Sequence, residues 1–281
     1  MGILVTGARG QLGHALLEVL AGRGHETVGV DLGDGDLAEP GIATRLLATH
    51  RPEQVIHAAA YTAVDAAESA RADAERGNAT ATQLLATACD AAGLTLTALS
   101  TDYVFDGTAV DGYAEDAPRE PINWYGETKA RAEDAGLAMA SPSRVVRTSW
   151  LFGHGPDNFV RTMLRLLDER QTLNVVDDQR GSPTYTVDLA ALLADLVATS
   201  GEGVFHGTNA GVVTWCGFAR EIARAAGQDP ARIKACASDE FPTPARRPAC
   251  SVLRDTRLEA LGVAPRPSWQ DALARFLDRE G

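Results

Sequence analysis

Short apolar runs alternate with helix-period stretches along the first half of the chain: Ile3–Thr6 then 11–22, Thr27–Asp31 then 41–50, Val55–Ala58 then 66–92, Leu94–Ser100 then 124–140, and Val145–Thr148. Strands that alternate with helices in this way are joined by right-handed crossovers and form a parallel sheet. The runs are continuously apolar, as strands covered by helices on both faces are. The expected fold class is α/β, with a doubly wound parallel sheet. After Trp150 the rhythm changes, with helical patterns near 157–170, 187–199, 215–227 and 268–279 and one strand pattern at 203–207. The Pro- and Arg-rich stretch Phe241–Pro248 reads as an ordered extended loop.

Composition narrows the class. A chain of 281 residues with 45% apolar and 23% charged residues is an ordinary globular mixture, long enough to bury roughly three quarters of its unfolded surface. No segment approaches the roughly 18 unbroken apolar residues of a membrane span. The net charge of −12 disfavours nucleic acid and anionic membrane surfaces as partners, because phosphate affinity comes from Lys and Arg. With no basic leader or small-residue cleavage site at the N-terminus, the expected location is cytoplasmic. Cys89, Cys216, Cys236 and Cys250 include no CxxC pair and read as reduced, buried thiols.

The first strand runs directly into Gly7-Ala-Arg-Gly-Gln-Leu-Gly13 and the helix that follows. In that setting one glycine makes the tight turn, another admits a pyrophosphate against the backbone, and the third permits close helix–strand packing. The helix N-terminus then offers N–H groups to the anion. Gly7, Arg9, Gly10, Gln11, Leu12 and Gly13 are therefore candidate cofactor contacts on a Rossmann-type sheet. The second strand ends at Asp31, eighteen residues after Gly13, near the spacing of an acid that bonds the adenosine ribose. Asp31 suits an unphosphorylated ribose and Arg9 a 2′-phosphate, so NADH and NADPH both remain open. The domain expectation is a dinucleotide-binding unit over 1–150, with parts of 170–210 returning to it, and a smaller substrate lobe mainly over 151–281.

Ser100 and Thr101 end the fourth apolar run, on the edge of the sheet where open α/β folds bind ligands. Tyr125 and Lys129 lie four apart on a helix that Pro121 and Asn123 can start, so both face one side. Ketone reduction needs a positioned acid, and a nearby ammonium would ease proton release from a phenol. Lys129 can also bond the nicotinamide ribose, and Thr101 can hold the carbonyl oxygen.

The chain resembles the dTDP-4-dehydrorhamnose reductase family of extended short-chain dehydrogenases/reductases. The phrases that carry the resemblance include the glycine loop, His57-Ala-Ala-Ala-Tyr-Thr-Ala-Val-Asp-Ala-Ala-Glu-Ser69, Ser100-Thr-Asp-Tyr-Val-Phe-Asp-Gly107, Tyr125-Gly-Glu-Thr-Lys129, Arg147-Thr-Ser-Trp150 and Pro242-Thr-Pro-Ala-Arg-Arg-Pro248. The resemblance implies reduction of the C4 ketone of dTDP-4-dehydro-L-rhamnose by NADPH, with NADH left open. It assigns Tyr125 as proton donor, Lys129 to the cofactor ribose and Thr101 to the ketone, with Ser100 and Tyr125 also in contact with the cofactor. Ala58, Ala59 and Ala60 would line the cofactor, Asp36 and Leu37 would lie near the adenine, and Val64, Asp102 and Trp150 would face the deoxysugar. Some relatives join two chains through Mg²⁺ held partly by a Glu two residues after the third glycine. Ala15 stands there in this chain, so no metal is expected, and a homodimer is left open.

A dTDP-sugar approaching an acidic protein needs local guanidinium groups. Of Arg161, Arg165, Arg246 and Arg247, the Pro-rich setting favours Arg247 for the pyrophosphate. Two other readings stand beside the reductase. One is a reductase of another dTDP-4-keto-deoxysugar, such as a dihydrostreptose-type enzyme of antibiotic assembly. The other is a noncatalytic nucleotide-binding subunit, which the Thr101, Tyr125 and Lys129 set argues against.

Overall fold

The computed structural model describes residues 1–155 and 158–280. Among these, a six-stranded parallel sheet contains β1 (Gly2–Thr6), β2 (Glu26–Val30), β3 (Gln54–His57), β4 (Thr95–Thr101) and β5 (Ser143–Thr148). Their spatial order is β2–β1–β3–β4–β5, and the strand Gly203–His206 is added beside β5. The apolar alternation along β1 shows why helices cover both faces. Ile3 and Val5 face a core shared with the helices Gln11–Gly22 and Thr186–Val197, while Leu4 faces another shared with Ile42–His50 and Ala81–Ala91. Because the chain leaves β1 for β2 on one side and β3 on the other, a crevice opens above the carboxyl ends of β1 and β3.

The second lobe packs the helices Phe159–Glu169, Trp215–Ala225 and Trp269–Glu280 around Phe152, Tyr185 and Phe218. The first residue of the pattern expected at 157–170 lies outside the described residues. Short strands that the sequence pattern does not announce tie this lobe together, among them the parallel pair Leu173–Val176 and Ile233–Cys236. The stretch 241–248 forms neither helix nor strand, as a loop, and bends at Phe241 and at Pro244–Ala245.

Two sequence expectations are corrected. The continuous helix expected over 66–92 is broken into Val64–Ala67, Arg71–Glu75, a π-turn at Arg76–Thr80 and Ala81–Ala91. The buried Asn78 amide explains the wide turn, because it binds the backbone N–H and C=O of Tyr61 at 2.8 and 3.1 Å and the Thr128 hydroxyl at 2.9 Å. An i→i+5 turn accommodates that inward side chain without ending the helix. All four cysteines are free thiols, but Cys236 is only partly buried because it closes the short Ile233–Cys236 strand. Among the described residues, no helix is long and apolar enough to cross a membrane.

Candidate active site

A cavity of about 840 Å³ occupies the crevice and extends under the second lobe. Its near wall is the turn between β1 and the helix Gln11–Gly22, lined by Gly7, Gly10, Gln11, Leu12 and Gly13. Gly7 has φ +70°, and a Cβ there would lie 2.6 Å from the Ala59 nitrogen. A Cβ on Gly13 would lie 2.1 Å from the Gly7 carbonyl oxygen, so this glycine sets how closely helix and turn pack. At Gly10 the nearest atom would be 3.3 Å away. No side chain caps this helix, which suits an N-terminus presented to an anion.

Asp31, Asp36 and Leu37 line one end of the cavity, and Ala58, Ala59, Ala60 and Val64 line the wall above β3. The Asp31 carboxylate accepts the N–H groups of Arg9 and Leu32, each at 2.9 Å, and so ties the glycine turn to the end of β2. Asp36 is tethered to the π-turn by Arg76 at 2.7 Å. The Arg9 side chain is exposed and is not among the lining residues; its guanidinium lies beside Gly33.

Ser100, Thr101, Asp102, Tyr125, Lys129 and Trp150 converge on the same cavity. Asn123 begins the helix Trp124–Leu137 by accepting the Gly126 N–H at 2.8 Å, which sets the phase that turns Tyr125 and Lys129 inward. The Lys129 ammonium donates to the Leu99 carbonyl at 2.7 Å, while burial lowers its pKa to about 8 against the opposing influence of Glu133. Burial raises the Tyr125 phenol above its ordinary value, the Asp102 charge adds to this, and a hydrogen bond with Thr101 opposes it. Burial is thus the largest influence on this phenol, and the Lys129 ammonium, expected to ease its proton release, is bonded to Leu99.

Asp102 is 2% exposed. One carboxylate oxygen accepts the Thr101 hydroxyl at 2.9 Å, and the other is buried without a partner among the described residues. Burial pushes this carboxyl up to about 6, with the Thr101 hydroxyl and the nearby Ser251 side chain, which itself donates to the Arg180 carbonyl, acting against the shift. A buried acceptor left open in a cavity wall suits a ligand hydroxyl.

The far wall is aromatic. Trp150 has φ +50° and stacks on Trp215 with ring centroids 3.5 Å apart, above Gly181, where a Cβ would come within 2.5 Å of the indole. A left-handed tryptophan is backbone strain placed at the cavity. Trp215, Phe159, Phe218 and Tyr103 also line it and were not anticipated as site residues. Tyr103 meets the Tyr125 ring edge-on at 5.6 Å. The sequence signal for Trp215 was slight: a tryptophan just after Thr214, which caps the following helix.

Arg247 is not among the lining residues. Both of its terminal nitrogens are held by the Asp65 carboxylate, at 2.7 and 2.8 Å, and this pairing holds Asp65 below the usual carboxylate range. Arg165 pairs with Glu169, an exposed contact within one helix. Among the described residues, no group of three or more His, Cys, Asp and Glu is arranged to hold a metal ion, and Ala15 is buried in the core beneath the glycine turn.

Comparison with known proteins agrees with this architecture. The model of the family described as RmlD substrate binding domain matches residues 1–281. A dTDP-4-dehydrorhamnose reductase of Streptomyces griseus is 43% identical over 276 residues, 96% of this chain and 91% of the relative. A dTDP-4-keto-6-deoxy-D-glucose reductase of Streptomyces niveus is 40% identical over 273 residues, 97% and 95% of the two chains. The crystal structure of a Bacillus anthracis dTDP-4-dehydrorhamnose reductase in complex with NADP superposes with a TM-score of 0.95 at 37% identity, covering 99% of each chain. A family model that spans every position, with relatives matched almost end to end, places this chain in the RmlD substrate binding domain family, that of the dTDP-4-dehydrorhamnose reductases.

Proposed function

We propose that this protein reduces the C4 ketone of dTDP-4-dehydro-L-rhamnose to dTDP-L-rhamnose with NAD(P)H. The observation that carries the reading is that Thr101, Tyr125 and Lys129 line one cavity with the glycine turn. The residues fit a dinucleotide: Gly7 and Gly10 are the turn residues that line the cavity and carry no side chain into it, and Asp31, Asp36 and Leu37 lie where an adenosine would end. The Bacillus anthracis relative was solved with NADP, which favours NADPH as the reductant. This reading assigns the dinucleotide to residues 1–150 with the returning segment Thr186–His206, and the sugar nucleotide mainly to residues 151–281.

When bound, the cofactor supplies the hydride that forms the new C–H bond at the ketone carbon. Thr101 holds the carbonyl oxygen, and Tyr125 donates its phenolic proton to that oxygen as the C=O π bond breaks. The resulting phenolate takes a proton back from solvent before the next turnover. Lys129 orients the cofactor ribose with the donors left after its bond to Leu99. Val64 and Trp150 pack against the deoxysugar, and Asp102 accepts one of its hydroxyls. Raised by burial, Tyr125 stays protonated throughout the neutral range, as a donor must be, and an incipient alkoxide is basic enough to take its proton.

The Streptomyces niveus relative favours a second reading, in which another dTDP-4-keto-6-deoxysugar is the preferred substrate. Purified protein mixed with NADPH and a panel of dTDP-4-keto sugars, followed at 340 nm, separates the two. The first reading predicts the highest kcat/KM for dTDP-4-dehydro-L-rhamnose. A higher value for another keto sugar assigns that substrate instead, and cofactor binding without oxidation for any of them leaves a noncatalytic nucleotide-binding protein.

A further inference from the structure

We infer that Glu133 is a positioning residue for the reduction, a buried carboxylate that steadies the charge of Lys129 and fixes the Ser100 hydroxyl at the cavity floor. The inference rests on the proposed reductase reading for the importance of those two groups, but not for its geometry. Glu133 lies one helical turn beyond Lys129 and two beyond Tyr125, so all three side chains fall on the same side of the helix Trp124–Leu137. It is 1% exposed. Its oxygens accept the Ser100 hydroxyl at 2.6 Å and two nitrogens of Arg147 at 2.8 and 2.7 Å, with Arg119 at 3.3 Å.

Arg147 is itself 2% exposed. A buried ion pair of this kind is a weak source of stability, since well-packed apolar residues often replace one without loss. Its placement points to another use. Ser100 bridges the carboxylate to the end of β4 next to Thr101, and Glu133 is the charge that resists the loss of the Lys129 proton under burial. The remaining charged and titratable neighbours do not substitute for it. From β3, His57 is buried and pushed down to about 3, by desolvation first and by the Lys129 charge second, and so is neutral. Tyr125 keeps its proton. On the far side, Arg147 reaches the Glu115 carbonyl at 3.1 Å and lies 3.4 Å from His206, which burial lowers to about 4. Arg119 also bonds the Ala130 carbonyl and pairs with Asp134. Glu133 is thus the acidic side chain, four positions on along the same helix, whose charge opposes loss of the Lys129 proton, and the two side chains bond neighbouring residues of β4, Ser100 and Leu99.

The chain contains only two lysines, Lys129 and Lys234, so uniform ¹³Cε-lysine labelling yields two side-chain resonances, and Lys234→Arg assigns them. Titrated by NMR, Lys129 in Glu133→Gln is expected to have a midpoint lower by about one pH unit, the shift an adjacent opposite charge commonly gives. Glu133→Asp should restore it. Because Glu133→Gln leaves Arg147 buried without a carboxylate and can fail to fold, the double variant Glu133→Gln/Arg147→Met, which removes one charge of each sign, provides a second reading, with a shift of the same direction but smaller than in Glu133→Gln. In the turnover profile with NADPH and dTDP-4-dehydro-L-rhamnose, the alkaline limb should move down with the NMR midpoint, lowering the rate at pH 8.5 about 10-fold relative to pH 6.5. An unchanged Lys129 midpoint, or a uniform loss of rate with an unmoved limb, overturns the inference and leaves Glu133 a structural ion-pair partner. A shifted midpoint in a protein whose wild type oxidises no NADPH sustains the electrostatic role and overturns the reductase reading alone.

Discussion

Replacement of Tyr125 by Phe lowers turnover by roughly 100-fold or more, the usual effect of removing a general acid, while NADPH affinity stays within about twofold. The substitution removes one oxygen and keeps the ring, so the edge-on contact with Tyr103 persists. The glycine turn and Lys129, which the account gives to the cofactor, are untouched. The loss should therefore appear equally in kcat and kcat/KM, the pattern of a contact made only in the transition state. Steady-state kinetics beside a fluorescence titration of NADPH separate the two quantities. Unchanged kcat would remove Tyr125 from the chemistry, and a large loss of NADPH affinity would make it a binding residue instead.

Asp102→Asn is expected to stabilise the protein near pH 7.5 while lowering its activity. The carboxyl has a pKa near 3.8 when unfolded and about 6 when folded, raised by burial. The folded chain thus holds a proton that the unfolded chain releases between those values, and above pH 6 the ionised carboxylate is a net cost to folding. A shift of that size corresponds to about 3 kcal/mol, or roughly 5–10 °C in Tm. The amide carries no charge and keeps the oxygen that accepts the Thr101 hydroxyl. Its advantage should shrink as pH falls from 6 and vanish near 4, where the wild-type carboxyl is protonated in both states. Turnover should fall at least 10-fold, as loss of a charged hydrogen-bond acceptor for the sugar implies. Thermal melts of both proteins from pH 4 to 8 check the sign. A variant that is less stable at pH 7.5, or fully active, contradicts the placement of Asp102 as a strained acceptor kept for the substrate.

Much of the sheet could be read from apolar runs, because strands buried on both faces carry their signal locally. β1 through β5 and the helices expected at 11–22, 41–50 and 124–140 fall close to those ranges. Two-residue strands such as Leu151–Phe152 and Thr184–Tyr185 are too short to show periodicity, so the wiring of the second lobe was not legible. The π-turn within the helix expected over 66–92 depends on Asn78 meeting Tyr61 and Thr128, contacts made by tertiary structure alone.

At the candidate site, the glycine turn and the Tyr125–Lys129 pair were visible because their meaning lies in spacing along one element. The aromatic wall was not, since Trp150 and Trp215 are sixty-five residues apart and only folding stacks them. Electrostatics depend on tertiary structure for the same reason. Spacing puts an ammonium near a phenol, but only the folded chain shows Lys129 turned to the Leu99 carbonyl and the phenol governed by burial and Asp102. The pairing of Arg247, expected at the pyrophosphate, with Asp65, 182 positions away, is likewise a contact that spacing does not show.

The most direct measurement is the fate of a labelled hydride. With NADPH carrying deuterium at the transferable C4 position and dTDP-4-dehydro-L-rhamnose as substrate, product NMR should show one deuterium at sugar C4 for each cofactor oxidised, in dTDP-L-rhamnose. Cofactor oxidation without deuterium in the sugar, or no oxidation by a protein that binds both ligands, would contradict the account.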